Sequence, residues 1–290
     1  MAYTGTGTQA DPFVVTTFAD FLTCVAQEGV YVEVGADLDA ASEGYGYISP
    51  IDVKAVEVYG TAGDTLRKIS NVTVEGNAVF DMHNGTGDQS LIRLHLENLT
   101  WKAALNPYVT SHVPVMFNRT NGNGYLHECK VSVSATAAAS NTNIRMVNRT
   151  SITDSAIVME LNSGIWYPNM NNNENEAWIN STLSLNGTGA AVWDVGTSTT
   201  DRIRKSTNCG FVLKNMVCSG SCAFYTASFS YIVYEDCDLT GATILYGDSS
   251  NLFCFAGTTS DESARVSSGT VVTQAQIKDK AYLQSIGWLP

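Results

Sequence analysis

The sequence predicts an all-β solenoid with short helical caps, and three observations carry the prediction. The first is an internal repeat over residues 69–239. A template of apolar, any, Asn or acid, small or apolar, any, apolar reads Ile69-Ser70-Asn71-Val72-Thr73-Val74 and Leu96-Glu97-Asn98-Leu99-Thr100-Trp101. Its third position falls at Asn71, Asn98, Glu128, Asp154, Asn180, Asn215 and Asp236, in steps that average about 27 residues. Self-similarity of strand-sized units at a near-fixed period marks a stack in which each unit packs on its neighbours. The second observation is an offset echo: Val113-Pro114-Val115-Met116-Phe117-Asn118-Arg119-Thr120 returns thirty residues later as Asn143-Ile144-Arg145-Met146-Val147-Asn148-Arg149-Thr150. The third is composition. The 290 residues are 44% hydrophobic but only 15% charged, well below the usual quarter or so. Neutral Asn, Ser, Thr and Gly suit stacked strands and tight turns better than long solvated helices. Unrelated short strands in a β-sandwich or jelly roll are the alternative.

The elements follow in order. Phe13-Val14-Val15 reads as a short strand after Asp11-Pro12. Thr17 then caps a helix, with Asp20 answering it. Phe18, Phe21, Leu22 and Val25 form its apolar face, and Gly29 stops it. A helix here, ahead of the repeats, is expected to close the open end of the stack. Tyr31-Val32-Glu33-Val34 and Val53-Lys54-Ala55-Val56-Glu57-Val58 alternate with period two and predict strands. The expected organisation is cap and first strands over 1–60, repeats over 61–256, and a linker with a helical tail over 257–290. Thr273 to Gly287 predicts one capped helix, with Ile277, Tyr282, Leu283 and Ile286 free to dock on the chain or on a neighbour.

A repeated Asn or acid has a physical reason. Such side chains bond locally at turns, and stacked strands bring like residues within about 4.8 Å. Directly stacked acids repel, so Glu128, Asp154 and Asp236 are expected to face water.

Bulk properties narrow the function. A formal charge of −12 argues against nucleic acid, which demands a basic stripe. Arg202-Ile203-Arg204-Lys205 reads as a solvated turn beside Asp201. No run suits a membrane span, and the first residues do not read as a signal peptide. Seven cysteines are an odd number, and Cys129, Cys218 and Cys237 fall on template positions. Reduced core thiols are expected, with folding in a cytoplasm and no metal or cofactor.

Catalytic chemistry has no motif here. Glycoside hydrolysis needs two carboxylates roughly 5–9.5 Å apart. Asp154 with Glu128, Glu174 with Glu176, and Asp194 with Asp201 are the available pairs, but 28 acids supply neighbours by chance. Asp194, Asp201 and Arg204 offer a weak lyase-like set. His83, His95, His112 and His127 stand alone. The clearer feature is Trp166, Tyr167, Asn169 and Trp178 around an Asn-rich loop. Aromatic faces with amides bind glycans, and the same residues suit a contact between chains, which is the favoured reading.

Gly5-Thr6-Gly7-Thr8, Asp11-Pro12-Phe13-Val14-Val15, a short helix, Tyr31-Val32-Glu33-Val34 and Asp37-Leu38-Asp39 together resemble the start of many β-helical proteins of phages and prophages. Tyr282-Leu283-Gln284-Ser285-Ile286-Gly287-Trp288 resembles an ending common in the same group. The resemblance covers both ends and the repeats, on short motifs. It implies a right-handed parallel β-helix, homotrimeric, carried on a virion beside capsid or tail proteins. With no separate enzymatic domain in view, a capsid-decoration or fibre/attachment subunit without enzymatic activity is the expectation. A tailspike-like glycan hydrolase or lyase, or a binder of host surface glycan, is the alternative.

Overall fold

The structure is a computed structural model that describes residues 3–61, 65–76, 78–82, 87–101, 115–118, 124–135, 143–147, 150–161, 164–167, 178–187, 191–193, 206–207, 210–214, 217–223, 231–246, 249–257 and 266–289. The protein is all-β apart from short terminal helices. Every pairing between its described strands is parallel, in three sheets. The first sheet orders Phe13–Val15, Tyr31–Val34, Glu57–Gly60, Gln89–Ile92, Gly124–His127, Thr150–Thr153, Trp178–Ile179 and Ser206–Thr207. The second runs from Leu38–Asp39 through Arg67–Val74, Leu94–Trp101, Lys130–Ala135, Ala156–Leu161, Thr182–Gly187, Gly210–Lys214, Tyr231–Glu235 and Leu252–Ala256 to Thr270–Val272. The third runs from Ile51–Asp52 through Ala78–Asp81, Val115–Asn118, Asn143–Val147, Gly164–Tyr167, Ala191–Trp193 and Val217–Ala223 to Asp238–Tyr246. From Tyr31 to Ala223 the chain visits first, second and third sheet in unbroken rotation.

The core is a set of columns. Val32, Val58, Leu91, Leu126 and Ile152 stand side by side across the first sheet, all fully buried. Ile69, Leu96, Val131 and Ile157 do the same across the second. Burying each such side chain contributes about 1.5–3 kcal/mol before the cost of ordering the chain. The intervening residues stay half-exposed, as in Tyr31–Val34, where Val32 and Val34 are buried and Tyr31 and Glu33 are not. One cluster runs from Val15 to Phe253.

The helix Phe18–Val25 sits against the strands Phe13–Val15, Tyr31–Val34 and Ile51–Asp52. Phe18 and Phe21 are fully buried in that first coil. Thr17 caps the helix as expected, its hydroxyl accepting the Asp20 N–H at 3.2 Å and donating to the Asp20 carboxylate at 2.9 Å. A second cap, invisible in the local sequence, is Glu43, which accepts the Phe18 N–H at 2.6 Å. A carboxylate suits the positive end of a helix.

The repeated polar position proves to be a backbone requirement. Asn71, Asn98, Glu128, Asp154, Asn180 and Asp236 all adopt φ between 49° and 56°. Outside glycine, Asn and Asp tolerate this left-handed region best, because their short side chains bond locally. Asn215 lies outside the described residues. The single template nevertheless covers three places. Asn71 and Asn98 bend strands within the second sheet. Glu128, Asp154 and Asn180 turn the chain from the first sheet into the second, and Arg93 (φ 55°) makes the same turn one coil earlier. Asp236 turns it from the second sheet into the third. The long step from Asn98 to Glu128 is therefore a change of place, from a bend within a strand to a turn between sheets.

The tail differs from the single helix predicted. Gln274–Ile277 and Lys280–Ser285 are separate helices. Thr273 and Gln276 form a capping box on the first, and the Asp279 carboxylate accepts the Ala281 and Tyr282 N–H groups to start the second. A strong N-cap in mid-run ends the preceding turn. Gly287, at φ 72°, closes the second helix as expected.

Candidate functional site

The best-defined polar cluster is built on the corner between the first and second sheets. Consecutive coils present Arg93, Glu128, Asp154 and Asn180 at one turn. The backbone N–H of Arg93, Glu128 and Asp154 each donates to a carbonyl of the next coil, at 2.9–3.1 Å. Two like charges thus stand on neighbouring coils, Glu128 and Asp154, and the expectation that they face water holds: both are exposed, as is Asp236.

Cations and amides offset their repulsion. The Arg93 guanidinium lies 3.5 Å from the Glu128 carboxylate. The Asn180 amide donates to Asp154 at 3.0 Å. His127 lies between the two acids, Nε2 3.7 Å from Glu128 and Nδ1 3.5 Å from Asp154. Its Nδ1 also lies 2.8 Å from the Thr153 hydroxyl. Side chains this exposed exchange such contacts with water, so each is worth about 0–1 kcal/mol. Beneath them Ser155 and Ser181, both buried, line the same corner. The Ser155 hydroxyl accepts the Cys129 N–H at 3.0 Å, and that of Ser181 accepts the Ser155 N–H at 3.2 Å. The corner has a buried, hydrogen-bonded inner seam and an exposed polar rim. Such a rim can bond the hydroxyls of a ligand, and it carries the Glu128–Asp154 pair picked out from the sequence.

The aromatic candidates divide between sheets. Trp166 and Tyr167 end the third-sheet strand Gly164–Tyr167. Trp178 begins the first-sheet strand Trp178–Ile179, in register with Ile152, the last of the buried column Val32, Val58, Leu91, Leu126, Ile152. Asn169 lies outside the described residues, as do Glu174, Glu176, Asp194, Asp201, Arg204, His83 and His112. The residue in register with Trp166 is Trp193, which the sequence reading passed over. Its distance of one repeat from Trp166 is the signal that would have found it.

Two further charged patches flank the corner. On the first sheet Tyr59 stands beside Glu33, and Tyr31 beside Glu57. Burial, then the Glu33 and Glu57 charges, push the Tyr59 hydroxyl up from its ordinary value. On the second sheet Lys68, His95 and Lys130 stand in one row. Lys68 pairs with Glu97 at 2.6 Å, which raises the lysine and lowers the carboxyl. Burial, with Lys68 and Lys130 nearby, holds His95 below its usual value against the opposing pull of Glu97.

Cys24, Cys129, Cys237 and Cys254 are buried thiols outside any disulfide. Burial pushes the thiols of Cys24 and Cys129 up to about 11, where a thiolate nucleophile is scarce at neutral pH. Among the described residues no three His, Cys, Asp or Glu side chains gather as a metal-binding group, and no helix is long and apolar enough to cross a membrane. No protein-family model matches the chain, and no curated protein matches it.

Proposed function

We propose that the three sheets are the faces of a right-handed parallel β-helix, and that the protein is a phage virion subunit of the capsid-decoration or fibre/attachment type. It works as a homotrimer and without catalysis. The observation that carries the fold is the rotation of the chain through three parallel sheets in constant order. Right-handedness follows the general rule for crossovers between parallel strands. The virion reading rests on the resemblance of both ends to phage β-helical proteins. Buried thiols outside any disulfide fit assembly in a host cytoplasm. Light scattering of the purified protein, followed by incubation with capsids and with host envelope glycans, tests it. A trimer that binds virion protein and leaves glycans intact supports the reading, whereas a monomer removes its basis.

One observation favours a second reading, glycan degradation in the manner of a tailspike: Glu128 and Asp154 do occupy neighbouring coils. Oligosaccharide release by the wild type, lost in both Glu128→Gln and Asp154→Asn while the fold persists, would establish that reading and overturn the first.

A further inference from the structure

The segment 273–289 does not join the main core. It folds back on the outer face of the second sheet and forms a separate cluster, in which Leu283 covers Leu252, Cys254 and Val272, beside Tyr231 and Val233. The clusters share no member. In the strand beneath, Phe253 points into the main core while its neighbours Leu252 and Cys254 form the outer seat. The Trp288 indole N–H donates to the Ser250 carbonyl at 2.9 Å, holding the end of the segment down. The two helices span four and six residues. Helices so short do not persist without a surface to pack on, so the segment is folded only while seated. Its root is the edge strand Thr270–Val272, entered through Gly269 at φ 118°.

We propose that this segment is a detachable strap, which lifts as a unit while the stacked sheets stay folded, and that the apolar strip it uncovers is the seat for the same segment of a second copy. The occupant is the one the structure already places there, now supplied in trans, which is how chain exchange builds oligomers at little cost in new contacts. The exchange rests on the homo-oligomer reading above; the lifting does not. Low-stability units of this kind open ahead of the global transition.

Two cysteines make the lifting measurable. Cys254 lies under the strap and Cys129 in the main core, 0% and 1% exposed. In native buffer with a maleimide, read peptide by peptide by mass spectrometry, Cys254 should be modified at least tenfold faster than Cys129. Leu283→Asp should raise the Cys254 rate further and leave Cys129 protected, which also reports that the sheets remain folded. Gly210→Ala gives an independent route, because a Cβ at Gly210 would meet the ring of its register partner Tyr231, which borders the seat, and it should likewise raise the Cys254 rate while leaving Cys129 protected. Equal rates at the two cysteines in the wild type would overturn the strap. For the exchange, light scattering should show an oligomer for the wild type and a monomer for Leu283→Asp. A variant that keeps the wild-type mass overturns exchange while leaving the oligomer reading intact, and a monomeric wild type overturns both.

Discussion

Gly257 stands above Asp236 in the turn where the second sheet gives way to the third, and the Asp236 carboxylate fills the space a side chain on Gly257 would need. Gly257 is itself left-handed, with φ 71°. Gly257→Ala therefore meets a steric and a conformational cost together. A left-handed alanine alone costs about 1–2 kcal/mol, and displacing Asp236 adds to it. The expected result is a loss of about 2 kcal/mol or more, seen as a fall of several degrees in Tm.

Asn71 satisfies two demands at once. Its left-handed backbone suits asparagine, and its amide donates to Asp39 at 2.9 Å while accepting from Asn98 at 2.7 Å. Asn71→Gly keeps the backbone and loses the bonds, whereas Asn71→Ala loses both. Denaturant melts should place the glycine variant about 0.5–1.5 kcal/mol below wild type, and the alanine variant about 1 kcal/mol lower again. Equal stability of the two variants would remove the conformational term.

Glu43 holds the N-terminal helix from a distance in sequence, through the Phe18 N–H. Glu43→Gln retains an acceptor but not the charge opposite the helix dipole, so about 0.3–1 kcal/mol should be lost. Glu43→Ala removes the cap and should cost about 0.5–2 kcal/mol. Phe21→Ala, which empties the core beneath the same helix, should cost about 3–5 kcal/mol. Chemical denaturation of the three variants checks the order.

Acid should weaken the protein in two stages. His95 is held below the ordinary imidazole value, first by burial and then by Lys68 and Lys130. The unfolded chain takes up that proton first as pH falls. The contribution is full above about pH 6.5 and is lost as pH falls through the lower folded value. Glu97 is lowered mainly by its hydrogen bond with Lys68, so its contribution is full above about pH 4.5 and is lost at lower pH. Lys68 is raised by the same bond, and its contribution fades only as pH rises through the lysine range. A Tm profile across pH should fall in the upper acid window and again near the carboxylate range. His95→Asn should flatten the first fall and Glu97→Gln the second.

The repeated strands were legible because their columns of Val, Ile and Leu alternate with polar residues. The echo between Val115 and Arg145 and between Phe117 and Val147 is the pairing register itself. Three places in the chain read as one template because each imposes the same left-handed backbone, which favours Asn or an acid. Arg93 makes the same turn without such a residue and so left no trace. Glu43 was hidden because its partner, Phe18, lies 25 residues away, beyond any local pattern. Asp279 read as one more polar residue of a helix, yet it ends one helix and begins another. At the candidate corner the pair Glu128 and Asp154 could be guessed from the repeat. The placing of His127 and Arg93 around them depended on which corner the repeat had reached.

Three asparagine amides at these left-handed positions point one way. Asn71 donates to Asp39, Asn98 to Asn71, and Asn180 to Asp154, each time toward the earlier coil. A chain leaving the ribosome from its N-terminus therefore meets, at each of these three asparagines, an acceptor already fixed in place. At 5–20 residues per second, one coil emerges in roughly 1–5 s, ample time for an amide to find that acceptor. Assembly can then proceed as templated growth in the direction of synthesis, starting from the first coil, against which the helix Phe18–Val25 packs.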